Sequence, residues 1–265
     1  MDAAHGAHAA REELEVLTQR LWDARQAGDY SPAWLNGALT LDRALAVQLG
    51  LLERKLAQGE RLAGWKIGLT SARARGLLGV DARPFGHLLA SRVFATGARV
   101  DAAAIEIPSI EPELCFTLAR RVAGTQVSRD EIAGSLARVA AGFELNERRK
   151  GSARPDFCAL VTDCLTQWGI VEGGGVPLGA GLDLGSVRCT LLRDGVKVYE
   201  GVSRDELDDH LESLRRLVVA LAAYDLALEP GQKVITGAFA RFDAAAGQSW
   251  RAVYAGIGEV EVAFV

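Results

Sequence analysis

The stretch Ile110-Glu111-Pro112-Glu113-Leu114-Cys115-Phe116-Thr117 decides how the rest of the chain is read. In an extended backbone, Glu111, Glu113, Cys115 and Thr117 share one face, while Leu114, Phe116 and Leu118 share the other. Two neighbouring carboxylates raise each other's pKa unless a cation lies between them. A pair beside an apolar strand face therefore needs either solvent or a metal ion. A lone Glu-x-Glu also fits a strand with one wet face, so the choice depends on the remainder of the chain.

The chain has 265 residues, of which 49% are hydrophobic and 24% charged, enough for a sizeable core and unlike a disordered segment. A net charge of −4 offers no basic field for nucleic acid or anionic lipid, which points to a small-molecule ligand. Cys115, Cys158, Cys164 and Cys189 form no Cys-x-x-Cys pair and no zinc spacing with histidine. No secretory signal is recognisable and no apolar run approaches the roughly 18 residues of a membrane span, so a soluble cytoplasmic protein with reduced thiols is expected.

Leu14, Leu17, Leu21 and Trp22 recur at helical spacing over residues 11–28, after an Ala/Gly-rich leader with His5 and His8 that is expected to fray. A second helix is expected over 41–57. Leu62-Ala63-Gly64-Trp65-Lys66-Ile67 reads as a short strand whose alternation puts Lys66 opposite Trp65 and Ile67, towards either solvent or a pocket. Thr70 or Ser71 then caps a helix through Leu78, and His87 reads as structural. Ser128-Arg129-Asp130-Glu131 is a capping box, and residues 137–145 form a buried strand ending at Glu144, which on its own would pair with Arg148 or Arg149.

Phe157–Val161 is apolar enough to be buried, and the glycines from Gly173 onward read as turns without the context of a phosphate loop. Asp194-Gly195 between two β-rich runs signals a hairpin. Ser203-Arg204-Asp205-Glu206 opens a helix with Leu207, Leu211, Leu214, Val218 and Leu221 on one stripe, and β-structure closes the chain. No Pro/Ser-rich linker divides the sequence. A helical N-terminal portion over residues 1–60 and a β-rich catalytic domain over 61–265 are therefore expected, an α+β protein.

Gly64-Trp65-Lys66-Ile67-Gly68-Leu69-Thr70-Ser71, then Glu111-Pro112-Glu113, Glu144, Pro230-Gly231 and Thr236-Gly237 occur in one order. That set resembles the fumarylacetoacetate hydrolase superfamily, in its branch of 2-oxopent-4-enoate hydratases and 2-oxohex-3-enedioate decarboxylases, from about Arg25 to the C-terminus. The resemblance implies a mixed, rolled β-sandwich with flanking helices that assembles into homo-oligomers, with a neighbouring pathway enzyme as a further candidate partner. It also implies Glu111, Glu113 and Glu144 as ligands of Mg²⁺ or Mn²⁺, and Lys66 beside a 2-oxo acid substrate. Thr70, Ser71, Thr236 and Gly237 are then candidates to contact substrate oxygens.

The implied chemistry is a metal-stabilised enolate. Adding water to a 2-hydroxy-2,4-dienoate gives a hydratase of aromatic-compound breakdown, and losing a carboxylate from a 2-oxo-3-enedioate gives a decarboxylase. Lys66 moves a proton or holds the substrate carboxylate, and a nearby metal should lower its pKa. C–C hydrolysis of an acylpyruvate is a third reading. It needs a histidine, and His210, beside Asp209 and Glu212, reads as a surface residue. A non-catalytic 2-oxo acid binder is a fourth. One departure stands out: where these hydratases show Asp-Thr-Ile-Ala-Asp-Asn, this chain has Asp163-Cys164-Leu165-Thr166-Gln167-Trp168, and an indole there is expected to reshape the pocket.

Overall fold

The computed structural model describes residues 2–179 and 181–265, with side chains from residue 11 onward. Seven α-helices are described: α1 Asp2–Gln26, α2 Leu41–Ala57, α3 Ala72–Leu78, α4 Arg129–Ser135, α5 Phe157–Thr162, α6 Ser203–Glu206 and α7 His210–Ala222. The strands are β1 Leu62–Ile67, β2 Phe85–Leu89, β3 Val93–Ala95, β4 Ala98–Val100, β5 Pro108–Leu118, β6 Leu136–Glu147 and β7 Gln167–Pro177. They continue with β8 Arg188–Arg193, β9 Val196–Val202, β10 Lys233–Ala238, β11 Phe242–Asp243, β12 Ser249–Tyr254 and β13 Gly258–Phe264. No helix among the described residues is long and apolar enough to cross a membrane.

The chain divides into two compact units. One takes in the chain up to Arg61 together with Arg149–Thr166, and the other consists of Leu62–Arg148 and Gln167–Val265. In the first, α1, α2 and α5 contribute Leu21, Val47, Leu51 and Ala159 to a small core. Helix α1 begins at Asp2 and so takes in the leader. Asp156 caps α5 by accepting from the Ala159 N–H at 2.8 Å. Just beyond that helix, Asp163 meets Arg149 at 2.8 Å and Arg25 at 3.8 Å.

The second unit holds an eight-stranded mixed sheet in the order β2-β1-β10-β5-β6-β7-β3, with β11 paired to β5, and a five-stranded sheet in the order β4-β13-β12-β8-β9. At its centre β5 and β6 run antiparallel over their whole length. A proline inside a central strand needs an explanation, since it cannot donate to the ladder. Pro112 lies where β10 slips register between Ile235 and Ala238, and there it only accepts, from the Phe239 N–H at 3.0 Å.

Two sequence expectations fail here for identifiable reasons. Gly173, Gly174 and Gly175 are not turns but part of β7. A Cβ on Gly173 would stand 2.1 Å from the Glu259 carbonyl oxygen, so glycine lets the second sheet close onto the first. The helix expected to open at Ser203 is broken: α6 stops at Glu206, and α7 starts again at His210 with Asp209 accepting from the Glu212 N–H at 2.9 Å. Asp208, in the gap, draws in Arg83 at 2.6 Å and Arg75 at 3.0 Å, and donates its N–H to the Thr70 carbonyl at 2.7 Å. By contrast Asp194-Gly195 makes the expected hairpin, both residues taking positive φ between β8 and β9.

Candidate metal centre

The register of β5 on β6 builds the site. Glu111 stands directly opposite Glu144, and Glu113 opposite Gly142. One carboxylate oxygen from each of Glu111, Glu113 and Glu144 lies within 4.8 Å of the others. A side chain at 142 would press on Cys115 and on the Glu113 carbonyl at 3.3 Å, so glycine leaves the face to the carboxylates. Ile170 stands opposite Glu144 and, with Leu88, Cys115 and Ile235, forms a buried apolar cluster beside the site.

Burial dominates the electrostatics. Desolvation, then the charge of Glu144, raises Glu111 to about 7, against a lowering pull from Arg241 and Lys66. The same two causes, joined by Glu111, push Glu113 well above the carboxylate range, although Lys66 and the Gly237 N–H, donating at 2.7 Å, work the other way. Lys66 is buried and its Nζ lies 2.5 Å from Glu144 Oε1. Burial lowers its pKa, but Glu144, Glu111 and Glu113 together more than reverse this and hold the ammonium protonated. The lowering expected of Lys66 is thus absent among the protein's own groups, because three carboxylates outweigh one desolvation.

These residues fit a hard divalent cation. Two buried carboxylates and the partly buried Glu111, facing one buried ammonium, carry excess negative charge, and the neighbouring thiol of Cys115 is pushed by burial to about 12, leaving oxygen donors alone. A dipositive ion among them would offset the burial and the mutual repulsion that raise Glu111 and Glu113.

The other sequence candidates take different places. Ser71 caps α3, accepting from the Ala74 N–H. Thr70 is buried with its hydroxyl against Gly237, where a Cβ would fall 1.8 Å from Oγ1. Gly237 belongs to the site through its N–H on Glu113. Thr236 is fully buried and turns its hydroxyl to His210 Nδ1 at 2.7 Å, so the structure does not bring that hydroxyl to the glutamates. His210 is no surface residue: it is 1% exposed, its Nε2 is 2.7 Å from Ser203 Oγ, and desolvation lowers its pKa to about 4. Helix α7 presents it to the sheet because the break at Leu207–Asp209 resets the helical phase.

Trp168 does not stand free. It stacks on Phe94 with centroids 5.7 Å apart and 10° between planes, while the Arg92 guanidinium lies 4.0 Å over its ring. It occupies the irregularity where β6 and β7 shift register, with Gln167 opposite Asn146.

Sequence reasoning missed Arg241. Its Nε and Nη2 donate to Ser109 Oγ at 3.1 and 2.9 Å, and Nη1 lies 3.5 Å from Glu111 Oε1. A cation between Phe239 and Phe242, four residues after Gly237, was the available signal.

No family model matches the chain. It is 28% identical over 259 residues to the 2-hydroxyhexa-2,4-dienoate hydratase of Comamonas testosteroni, covering 96% of this chain and 98% of that one. Over 234 residues it is 28% identical to the 2-oxo-hept-4-ene-1,7-dioate hydratase of Escherichia coli, covering 86% and 88%. Its fold is that of the 4-oxalocrotonate decarboxylase from Pseudomonas putida G7, solved with magnesium and adipate: TM-score 0.85, 23% identity, and coverage of 96% and 98%.

The two sheets of the second unit have the fold of the fumarylacetoacetate hydrolase class. In sequence the chain is similar to several 2-oxo acid hydratases and to a 4-oxalocrotonate decarboxylase, at 26–28% identity.

Proposed function

We propose that this protein is a divalent-metal-dependent hydro-lyase that adds water to a 2-hydroxy-2,4-dienoate in aromatic-compound breakdown. The observation that carries the reading is the buried cluster of Glu111, Glu113 and Glu144 with the Lys66 ammonium on it. The three glutamates would hold Mg²⁺ or Mn²⁺, which, when bound, supplies positive charge against the negative charge that grows on the substrate's keto oxygen.

The chain's own residues supply the rest. Hydration requires a proton at one carbon of the conjugated system while water oxygen bonds another. Lys66 is the proton carrier in this reading, since it is charged, buried and hydrogen-bonded to Glu144. The Gly237 N–H fixes one oxygen of Glu113 and so orients the cluster. The buried apolar cluster of Leu88, Ile170 and Ile235 beside the glutamates keeps water from that part of the sheet.

The likeness to a decarboxylase fold supports a second reading, loss of CO₂ from a 2-oxo-3-enedioate on the same cluster. With Mg²⁺ present, decay of dienoate absorbance without CO₂ release is the expected result. CO₂ release from the enedioate alone favours the second reading, and turnover of neither overturns both. Replacing Glu113 by Ala should abolish metal binding and turnover together. We include homo-oligomeric assembly in the proposal, and sedimentation of the purified protein as a monomer would remove it.

A further inference from the structure

Exposure rises stepwise across the site: the side chains of Glu144 and Glu113 are 1% and 2% exposed, Glu111 is 13% and Arg241 is 46%. The cluster therefore opens to solvent on the Glu111 side, and the group standing at that opening is a guanidinium.

Its position is built. Segment 238–244 runs antiparallel along β5: the Phe239 N–H donates to the Pro112 carbonyl and the Ala244 N–H to the Pro108 carbonyl, each at 3.0 Å, with Phe242 opposite Ile110. Arg241 is held between these anchors, and Ser109, itself buried, accepts from both Nε and Nη2. Two donors on one hydroxyl fix the plane of the guanidinium. Its ion pair with Glu111 is loose, at 3.5 Å, and so falls short of the paired, parallel hydrogen bonds that a guanidinium forms best with a carboxylate.

We infer that Arg241 receives the second carboxylate of a dicarboxylic substrate. The inference rests on the 2-oxo acid reading above and deepens it. A 2-oxo acid head enters the buried end, where the Lys66 ammonium offers the matching charge, and its tail extends towards solvent past Glu111. A tail ending in carboxylate meets Arg241 there. A tail ending in hydrogen or methyl makes no such contact.

The experiment uses the full-length protein with Mg²⁺ and calorimetric titration of three probes: oxalate for the head, adipate for a six-carbon dicarboxylate, and hexanoate for the same length with one carboxylate. Wild type should bind oxalate, and adipate more tightly than hexanoate. Arg241→Gln should weaken adipate at least tenfold more than it weakens oxalate and bring adipate level with hexanoate. Arg241→Lys should recover part of the loss, which separates charge from misfolding. Equal weakening of all three probes would show that Arg241 acts only through Glu111, and no change in any would show no carboxylate contact; either result overturns the inference. Failure of wild type to bind oxalate with Mg²⁺ overturns the 2-oxo acid reading as well, so the two failures are told apart.

Discussion

Glu111 and Glu144 face each other directly across β5 and β6, so one antiparallel pairing places two carboxylates side by side. With Glu113 one pleat along, the pair is affordable only if protons or a cation offset the charge.

That arrangement sets a pH dependence. The folded pKa values of Glu111, about 7, and Glu113 lie above those of the unfolded chain. Their contribution to the stability of the metal-free protein is therefore fully present below the unfolded value, about 4.3, and is lost as pH rises through the folded value. Bound Mg²⁺ should reverse the trend, because the ion needs the charged forms. Melting curves between pH 5 and 8 with and without Mg²⁺ should show opposite slopes, and calorimetry in buffers of different ionisation enthalpy should show proton release on binding. Parallel slopes would speak against these glutamates as ligands.

Lys66→Met removes the ammonium bonded to Glu144. Turnover should fall about 10²–10⁴-fold, the range of a lost general acid–base group. Breaking a buried ion pair by removing one partner costs about 3–5 kcal/mol, so the metal-free variant should melt lower, with Mg²⁺ restoring much of the loss. Retained turnover would rule out the lysine as proton carrier.

His210 offers a second titration of opposite sign. Its pKa falls from about 6.5 unfolded to about 4 folded, chiefly by desolvation. The native state thus refuses a proton that the unfolded chain accepts. Stability from this group is complete above the unfolded value and is lost as pH falls from there to about 4, by an amount on the order of 3 kcal/mol. His210→Gln should flatten that part of the profile, read as the difference between variant and wild type. An imidazole NMR titration near 6.5 in the native protein would contradict it.

Gly237→Ala tests the support of Glu113. The added Cβ would fall 1.8 Å from Thr70 Oγ1 at a φ of +120°, so the backbone must move and the N–H that holds Glu113 moves with it. Strain of this kind costs about 1–3 kcal/mol. Mg²⁺ affinity should drop at least fivefold, measured by calorimetry, while Gly179→Ala, with open space around its Cβ, should leave affinity unchanged.

Local chemistry made much of this protein readable in advance. Strand alternation put Glu111 and Glu113 on one face, Ser128 and Glu131 announced a capping box, and Asp194-Gly195 announced a hairpin, because each depends on backbone sterics within a few residues. The same locality misled where packing intervened. Gly173–Gly175 looks like a turn until the opposing sheet closes on Gly173 and β6 on Gly175, and Ser203 looks like the start of one helix until Asp208 is drawn off by two arginines.

The amino-acid order by itself determined which residue types were available to hold a cation, and on which strand face two of them lie. Only the tertiary structure decided that Glu144 would be met by Lys66, 78 positions away, that His210 would be sealed beneath the sheet, and that Arg241 would stand at the open edge. The reason is range: side-chain direction along a strand follows from the geometry of successive peptides, whereas the partner of a buried charge is chosen by how separate strands pair and which faces their packing closes to water.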